Sequence, residues 1–465
     1  MASAPPKRTF ALSALVAAGA LALLAPPLTG AAQNPVGKLK QLHGAKGCLT
    51  DKAGPAGGCT PVRALRGPAP FLGSEAVAVS PDGANVYVAS SKSDAIAVFE
   101  RDRSSGELTQ RDGAAGCVSA KVGGCAGAVG LDHPNSVVVS PDGDDVYATS
   151  LDSNAVTAFS RDPSSGALDQ EGCIAAAPLA GCTSGRALDG PDVVRVSPDG
   201  RNVYVGAFFG NAIATFARDR RSGDLTQPAG ADGCIAASAA EGCASGIAMN
   251  APEGLALSHD GSSVYAATAV SNALVVLARD PSTGVLTQAT DGSGCITDAD
   301  VAGCTTGVQL EGANAVVVSY DDDDVYVTSL ISNSVTSFSR DQATGRLTQQ
   351  AGTSACVVQL LAVGCSLGRA LEAPEGLSVS PDGTSLYAAA FGSGAVDVFN
   401  RDTGAGWLIQ KGGRPGCITS SRTPDCTTGR KLSNASSVIV SPDGRNVYAA
   451  AFGSNAVDVF KRTTK

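Results

Sequence analysis

Seven of the chain's eight tyrosines, Tyr87, Tyr147, Tyr204, Tyr265, Tyr326, Tyr387 and Tyr448, stand 60, 57, 61, 61, 61 and 61 residues apart. A residue type recurring at that spacing marks one structural position copied along the chain, and a period this long points to a propeller or a solenoid. A length of 465 residues would otherwise suggest about three ordinary domains. The repeat replaces that expectation with seven copies of about 62 residues, each too small to bury an ordinary core alone.

One copy, from Glu375, runs Glu-Gly-Leu-Ser-Val-Ser, Pro381-Asp382-Gly383, Ser-Leu-Tyr-Ala-Ala-Ala and a Phe391-Gly-Ser-Gly turn, then Ala-Val-Asp-Val-Phe399 and Arg401-Asp402. Short runs with alternating apolar positions, bounded by Gly, Pro, Asp or Asn, are strands joined by tight turns. A Gly-x-Leu-Thr-Gln run such as Gly284 to Gln288 adds a fourth strand. Four-stranded units packed face to face around an axis make a β-propeller. The expected fold is therefore all-β, a seven-bladed β-propeller with four-stranded blades. The last copy stops after its third strand, Ala456 to Lys461, and the missing fourth stands at the other end of the chain, in Gly37 to Gln41. The N-terminal strand is expected to complete the last blade and close the ring, removing open sheet edges.

The rest of the chain reads as exported. Lys7 and Arg8 precede an uncharged apolar stretch from Phe10 to Ala25, followed by small residues at Gly30, Ala31 and Ala32. Residues 1–32 are expected to be a signal peptide, leaving 33–465 as a single propeller domain of a secreted or periplasmic protein. The fourteen cysteines fall into local pairs: Cys48/Cys59, Cys117/Cys125, Cys173/Cys182, Cys234/Cys243, Cys295/Cys304, Cys356/Cys365 and Cys417/Cys426. In an exported chain such pairs read as disulfides. The alternative, zinc held by two neighbouring pairs, requires reduced thiols in an oxidising compartment. Beyond the leader no apolar run reaches the roughly 18 residues of a membrane span. A net charge of −9 opposes a nucleic-acid backbone. A monomer without nucleic-acid or membrane partners is expected.

Ser-Pro-Asp-Gly-x-x-Val-Tyr, followed by Ser-Asn-Ala-Val-x-x-Phe-x-Arg-Asp-x-x-Thr-Gly-x-Leu-Thr-Gln, resembles the lactonase-like, YVTN-type seven-bladed propellers. That group includes enzymes similar to 6-phosphogluconolactonase and the carboxymuconate lactonizing enzyme. The turn motif is intact at Ser80 to Gly83, Ser140 to Gly143, Ser197 to Gly200, Ser380 to Gly383 and Ser441 to Gly444. His259 replaces its proline in the fourth copy, the fifth reads Tyr320-Asp321-Asp322-Asp323-Asp324, and Leu277 replaces the third-strand Phe in blade four. These are turn and core positions, so the resemblance implies the fold first and a lactone-directed activity as an expectation.

Propeller topology puts the disulfide loops and turns such as Phe208-Phe209-Gly210-Asn211 on one face. The Ser-Pro-Asp-Gly and Arg-Asp turns lie on the other, where a pair such as Arg161 and Asp162 reads as a structural salt link or turn cap. Five residues before each first-strand serine stand Glu75, Asn135, Asp192, Glu253, Asn314, Glu375 and Ser436, mostly followed by a small residue. Such a ring of oxygens suits a hard divalent cation such as Ca²⁺, with Glu75, Asn135, Asp192, Glu253, Asn314 and Glu375 as the ligand set. A bound cation would polarise a lactone carbonyl and activate water; without metal, Glu253 is the candidate general base. The same side chains would also serve as caps for loop N–H groups.

Three features break the repeat. Arg195 stands where other copies have Ala78, Val138, Ala256, Val317, Ser378 and Ile439. A buried arginine needs a partner: it pairs with Asp192 or stabilises an oxyanion. His133, beside Asp132, is the one histidine expected on the loop face and a candidate base. The run Asp321 to Asp324 reads as a solvated acidic turn in preference to a Ca²⁺ site, and His43 and His259 show no partner. The catalytic candidates are thus Glu253, Asp192, Arg195 and His133. Two functions follow: a secreted hydrolase or isomerase acting on a small-molecule lactone, preferably neutral because the ring is acidic, or a non-catalytic platform. The platform would present disulfide-stapled loops, with Phe208, Phe209, Phe391 and Phe452, to an extracellular protein or glycan.

Overall fold

The computed structural model describes residues 35–52, 57–68, 75–421 and 423–464; the signal expected at 1–32 lies outside them. Residues 35–465 form one unit. Among the described residues the strands make seven sheets, one per repeat, accompanied by short 3-10 turns. The all-β, seven-bladed expectation holds. Second strands such as Asn85–Ser90 and Asp324–Ser329 are buried along their whole length, because the neighbouring blades cover both of their faces. Their Val-Tyr cores therefore pack across blade boundaries: Val86 and Phe99 of the first blade share a cluster with Phe159 of the second and Tyr448 of the last.

The blades are not four-stranded. The inner three strands pair antiparallel as expected, for example Pro134–Val139, Asp145–Ser150 and Ala155–Arg161. The fourth is continuous in Leu168–Ala175 but elsewhere divides, as where Leu286–Gln288 and Cys295–Thr297 both pair with Ala273–Arg279. A further two-residue strand, Thr305–Thr306, lies parallel to Cys295–Thr297, so the sheets hold five or six strands. Cysteine geometry explains the addition. Each of the seven disulfides among the described residues joins the outer half of the fourth strand to the segment beside it. Their Cα atoms are 4.5–4.9 Å apart, about the 4.8 Å spacing of adjacent strands. The cysteines assigned to a loose connection are instead edge staples of the blades.

Leu39–Gln41 runs antiparallel to Ala456–Arg462, with Leu39 opposite Arg462 and Gln41 opposite Phe460. Cys48–Asp51 continues along the same strand. The N-terminal segment thus supplies outer strands of the last blade, as the chain ends suggested. The glutamine of Leu-Thr-Gln joins blades at the rim: Gln110 Oε1 accepts the Arg63 N–H at 2.8 Å while its Nε2 donates to the Arg63 carbonyl at 3.0 Å. Gln41 holds Arg430 in the same way.

Tyrosine and arginine form the main clasp between blades. Arg161 Nε donates to the Tyr87 hydroxyl of the preceding blade at 2.9 Å. Its Nη1 donates to the Gly143 carbonyl of its own turn, and its Nη2 to the Asp82 carboxylate of the preceding blade, both at 2.9 Å. The Tyr87 hydroxyl donates onward to the Gly166 carbonyl at 2.9 Å. Burial opposes the charge on Asp82, but hydrogen bonds from Ser80, the Ala84 N–H and Arg161 hold its carboxyl down to about 2. Arg462 repeats the pattern with Tyr387 and Asp382, and Arg101 of the first blade with Tyr448 and Asp443 of the last. The arginine therefore pairs with an aspartate one blade away. Its sequence neighbour Asp162 caps its own turn through the Ser164 N–H and the Ser165 hydroxyl.

Arg161 is buried but its partner Asp82 is 38% exposed, so the cost falls below that of a fully buried pair, and Arg161→Met should lower the free energy of unfolding by about 1.5–3 kcal/mol, the range for hydrogen bonds to a charged group. Asp162→Ala should have a much smaller effect. Equilibrium denaturation of both variants with disulfides intact checks this, and equal losses would contradict the inter-blade clasp.

Candidate functional site

The pairing register shifts at the same point in six innermost strands. The residue left over each time belongs to the oxygen-bearing ring: Asn135, Asp192, Glu253, Asn314, Glu375 or Ser436. Such a bulge turns its extra side chain out of the ladder. Small residues follow because adjacent strands nearly touch here. A Cβ on Gly254 would lie 2.4 Å from the Asn314 carbonyl oxygen, and one on Gly376 2.7 Å from that of Ser436.

The six side chains are 0–3% exposed. Asn135 Nδ2 donates to Asp192 Oδ1 at 2.6 Å, and Asn314 Nδ2 to the Pro374 carbonyl at 3.2 Å. Glu253 Oε2 and Glu375 Oε2 have no hydrogen-bond partner among the described residues. Burial, then the negative charges of Asp192 and Glu375, push the Glu253 carboxyl well above the ordinary range; burial and Asp192 do the same to Glu375. Among the described residues no three His, Cys, Asp or Glu side chains form a group able to hold a metal ion.

Beyond this layer the innermost strands surround a cavity of about 480 Å³. Its walls are valine, leucine and isoleucine, with Pro141, Pro198 and Pro442 of the Ser-Pro-Asp-Gly turns at the rim. The cavity opens on the turn face, which sequence reasoning treated as purely structural. Arg195 lines it and pairs with Glu75 of the first blade, Nη2 to Oε1 at 2.7 Å; its Nη1 donates to the Val194 carbonyl at 3.0 Å. The alternative in which Arg195 pairs with Asp192 is not the arrangement observed. Burial pushes the Glu75 carboxyl upward, against the charge of Arg195.

His259 and Tyr320 hold turn positions occupied by proline in the other copies, and their ring centroids stand 4.9 Å apart. Asp322 Oδ1 accepts the His259 backbone N–H at 2.8 Å and lies 3.2 Å from its Nδ1. Burial, then the charge of Glu75, raise the Tyr320 phenol. Ser378 also lines the cavity. The mouth thus combines an apolar wall with a guanidinium, carboxylate, imidazole, phenol and hydroxyl, each where the repeat is broken or incomplete.

The four catalytic candidates are not brought together. Arg195 lines the cavity, while Glu253 and Asp192 are sealed in the layer beneath it. His133 sits at the start of the innermost strand, toward the loops, with φ 59°. Its N–H is held by Asp94 Oδ1 at 2.9 Å, and its Nδ1 lies 3.5 Å from Asp152. The acidic run is a turn only half open to solvent: Asp321 and Asp323 are exposed and Asp322 and Asp324 buried, with Asp321 and Asp324 bonded to Arg401, Asp322 to His259 and Asp323 to Gln342. On the loop face Phe209 is exposed, whereas Phe208, Phe391 and Phe452 are half-buried. His259 and Tyr320 were visible as departures from the turn motif; what hid them was their assignment to the wrong mouth.

The fold and its uneven channel mouth define a seven-bladed propeller with one differentiated site. The chain is a seven-bladed β-propeller similar to the lactonase family: residues 73–185 and 186–295 match the family model described as lactonase, 7-bladed beta-propeller. Among solved structures it resembles hydrazine synthase of Kuenenia stuttgartiensis, with 18% identity, TM-score 0.50, and coverage of 85% of this chain and 98% of that one. It also resembles candidate 6-phosphogluconolactonases of Bacteroides uniformis and Bacteroides fragilis. These are 19% and 17% identical, each with TM-score 0.50, covering 79% and 84% of this chain and 88% and 90% of theirs. At such identities the likeness shows the fold alone. No curated protein matches the chain significantly.

A carboxyl raised in the fold keeps its proton while the unfolded chain loses its own near 4.5, so stability falls as pH rises above that value toward the folded pKa. Glu253→Gln removes this penalty. Its unfolding free energy should equal the wild type's at pH 4 and exceed it by at least about 1 kcal/mol at pH 8, measured by denaturant titration at both pH values. A gain independent of pH would contradict the protonated-ring account.

Proposed function

We propose that the protein is a lactonase-type hydrolase that opens a neutral, largely apolar lactone in the turn-face cavity. The observation that carries this reading is the convergence of Arg195, Glu75 and His259 on one apolar pocket. Lactone hydrolysis needs a donor where charge develops on the carbonyl oxygen and a base that takes a proton from water. Arg195, held by Glu75, is the donor; His259, steadied at Nδ1 by Asp322, is the base through Nε2. Water attacks the carbonyl carbon as its proton passes to His259, and negative charge builds on the oxygen facing Arg195. The ring C–O bond then breaks and the proton returns to the departing alkoxide, giving a hydroxy acid.

Glu75 matches the charge of Arg195, which favours a neutral substrate over a phosphorylated one. Export belongs to the same reading. The seven disulfides support it. The alternative of a binding platform draws on the Cys356–Cys365 loop, where Leu360, Leu361 and Val363 are 76%, 81% and 101% exposed.

A pH-stat assay of the mature protein on aliphatic γ- and δ-lactones, with and without EDTA, tests the proposal. Acid release should persist in EDTA, and Arg195→Ala should lower kcat/KM by about 10²–10³-fold. Absence of acid release on every lactone overturns hydrolysis and leaves the platform, whereas unchanged turnover in Arg195→Ala overturns the assignment of the chemistry to Arg195 and the turn-face cavity.

A further inference from the structure

A second cleft, of about 460 Å³, lies on the opposite face, where the last blade meets the first. Five cations line it, Lys52, Arg63, Arg66, Lys92 and Lys121, against two carboxylates, Asp51 and Asp94, in a chain of net charge −9. Two of the cations are already committed. Arg63 donates to the backbone carbonyls of Arg111 and Gly113, and Lys121 pairs with Asp94 and Asp132. Lys92 Nζ rests 3.9 Å above the Phe452 ring, and Lys52 and Arg66 make no side-chain hydrogen bond or ion pair among the described residues.

The repeat shows that this charge is particular to one junction. The position of Arg66 carries Asp132, Asp189, Asn250, Glu311, Glu372 and Ser433 in the other copies, and that of Lys92 carries Asp152, Phe209, Val270, Ile331, Gly392 and Gly453. The two positions are neighbours by backbone pairing: the Lys92 N–H donates to the Arg66 carbonyl at 3.1 Å, as the Asp152 N–H does to Asp132 at 3.3 Å. The same pair of positions is thus doubly basic in one blade and doubly acidic in the next. A structural requirement copied with the fold would not reverse sign between copies.

We infer that this cleft binds an acidic oligosaccharide. Lys52 and Arg66, together with Lys92, whose ammonium is held only by an aromatic ring, come from three separate segments and match a ligand with several spaced negative charges, and the volume suits a ligand larger than a simple inorganic anion. The overall negative charge works against a long nucleic acid. The short, divided outer strands of these blades offer a peptide little edge for strand addition, and the cationic side chains share the cleft with apolar surface that includes Ala64 and Val122, which suits the mixed hydroxyl and C–H faces of a sugar.

Isothermal titration of the mature protein at low ionic strength tests this with four probes: tetragalacturonate, a heparin tetrasaccharide, neutral maltotetraose and a tetraglutamate peptide. At least one acidic saccharide should bind one-to-one and the neutral one should not. Binding should weaken at least tenfold in Arg66→Glu/Lys92→Glu, and also in 0.3 M salt. Lys52→Glu should weaken it separately, and thermal midpoints and lactone turnover should stay at wild-type values. Binding carried by carboxylate or by sulfate is distinguished by the first two probes. Failure of both to bind, binding that survives the double substitution, or tighter binding of tetraglutamate overturns the inference.

Discussion

A guanidinium stripped of water must find acceptors for nearly all of its N–H groups, and each blade of this protein supplies them across a boundary. The preceding tyrosine hydroxyl, the preceding turn's aspartate, the Asn85 side-chain oxygen and the arginine's own turn carbonyl make the set around Arg161. The tyrosine period, the Ser-Pro-Asp-Gly turn and the Arg-Asp dipeptide are therefore parts of one device. Because Arg101 makes the same bonds to the last blade, the junction that joins the two chain ends uses the same chemistry as the others. Disulfides act farther out, where the short parallel strands contribute little hydrogen bonding.

With blade spacing set at this radius, the innermost strands are left to shape the channel. At one level they carry bulges and crowd together, burying Asn135, Asp192, Glu253, Asn314, Glu375 and Ser436 away from solvent. Nearer the turns they part around the cavity. Arg195, His259 and Tyr320 replace residues whose copies are aliphatic, serine or proline, so they introduce charge and ring polarity without disturbing the clasp. Asp322 shows the coupling between the two layers: its carbonyl accepts Arg340 at 3.2 Å while its carboxylate holds His259.

Much of this was legible in the residues. Blade number, cysteine pairing and the N-terminal contribution to the last blade all follow from spacing, because repeats and short loops encode them locally. The partner of each arginine was not legible, since Asp82 lies 79 residues before Arg161 while Asp162 stands beside it. Nor were the bulges, which depend on how closely neighbouring strands approach at Gly254 and Gly376. The open mouth was missed for the same reason: the taper of the channel is a property of all the inner strands together. His259 and Tyr320 were noticed as departures from a turn motif, yet a turn far from the expected site carried no chemical meaning until the cavity placed it beside Arg195.

The central claim is that chemistry resides at the turn-face mouth and not at the loop face or in the buried ring. The most direct measurement is a crystal structure of the protein with a cyclic phosphonate that mimics the tetrahedral intermediate of lactone hydrolysis. The account predicts phosphonate oxygens against Arg195 and His259, with the alkyl ring on the valine wall. Density on the loop face around His133, or a channel mouth left empty at saturating phosphonate, would contradict it.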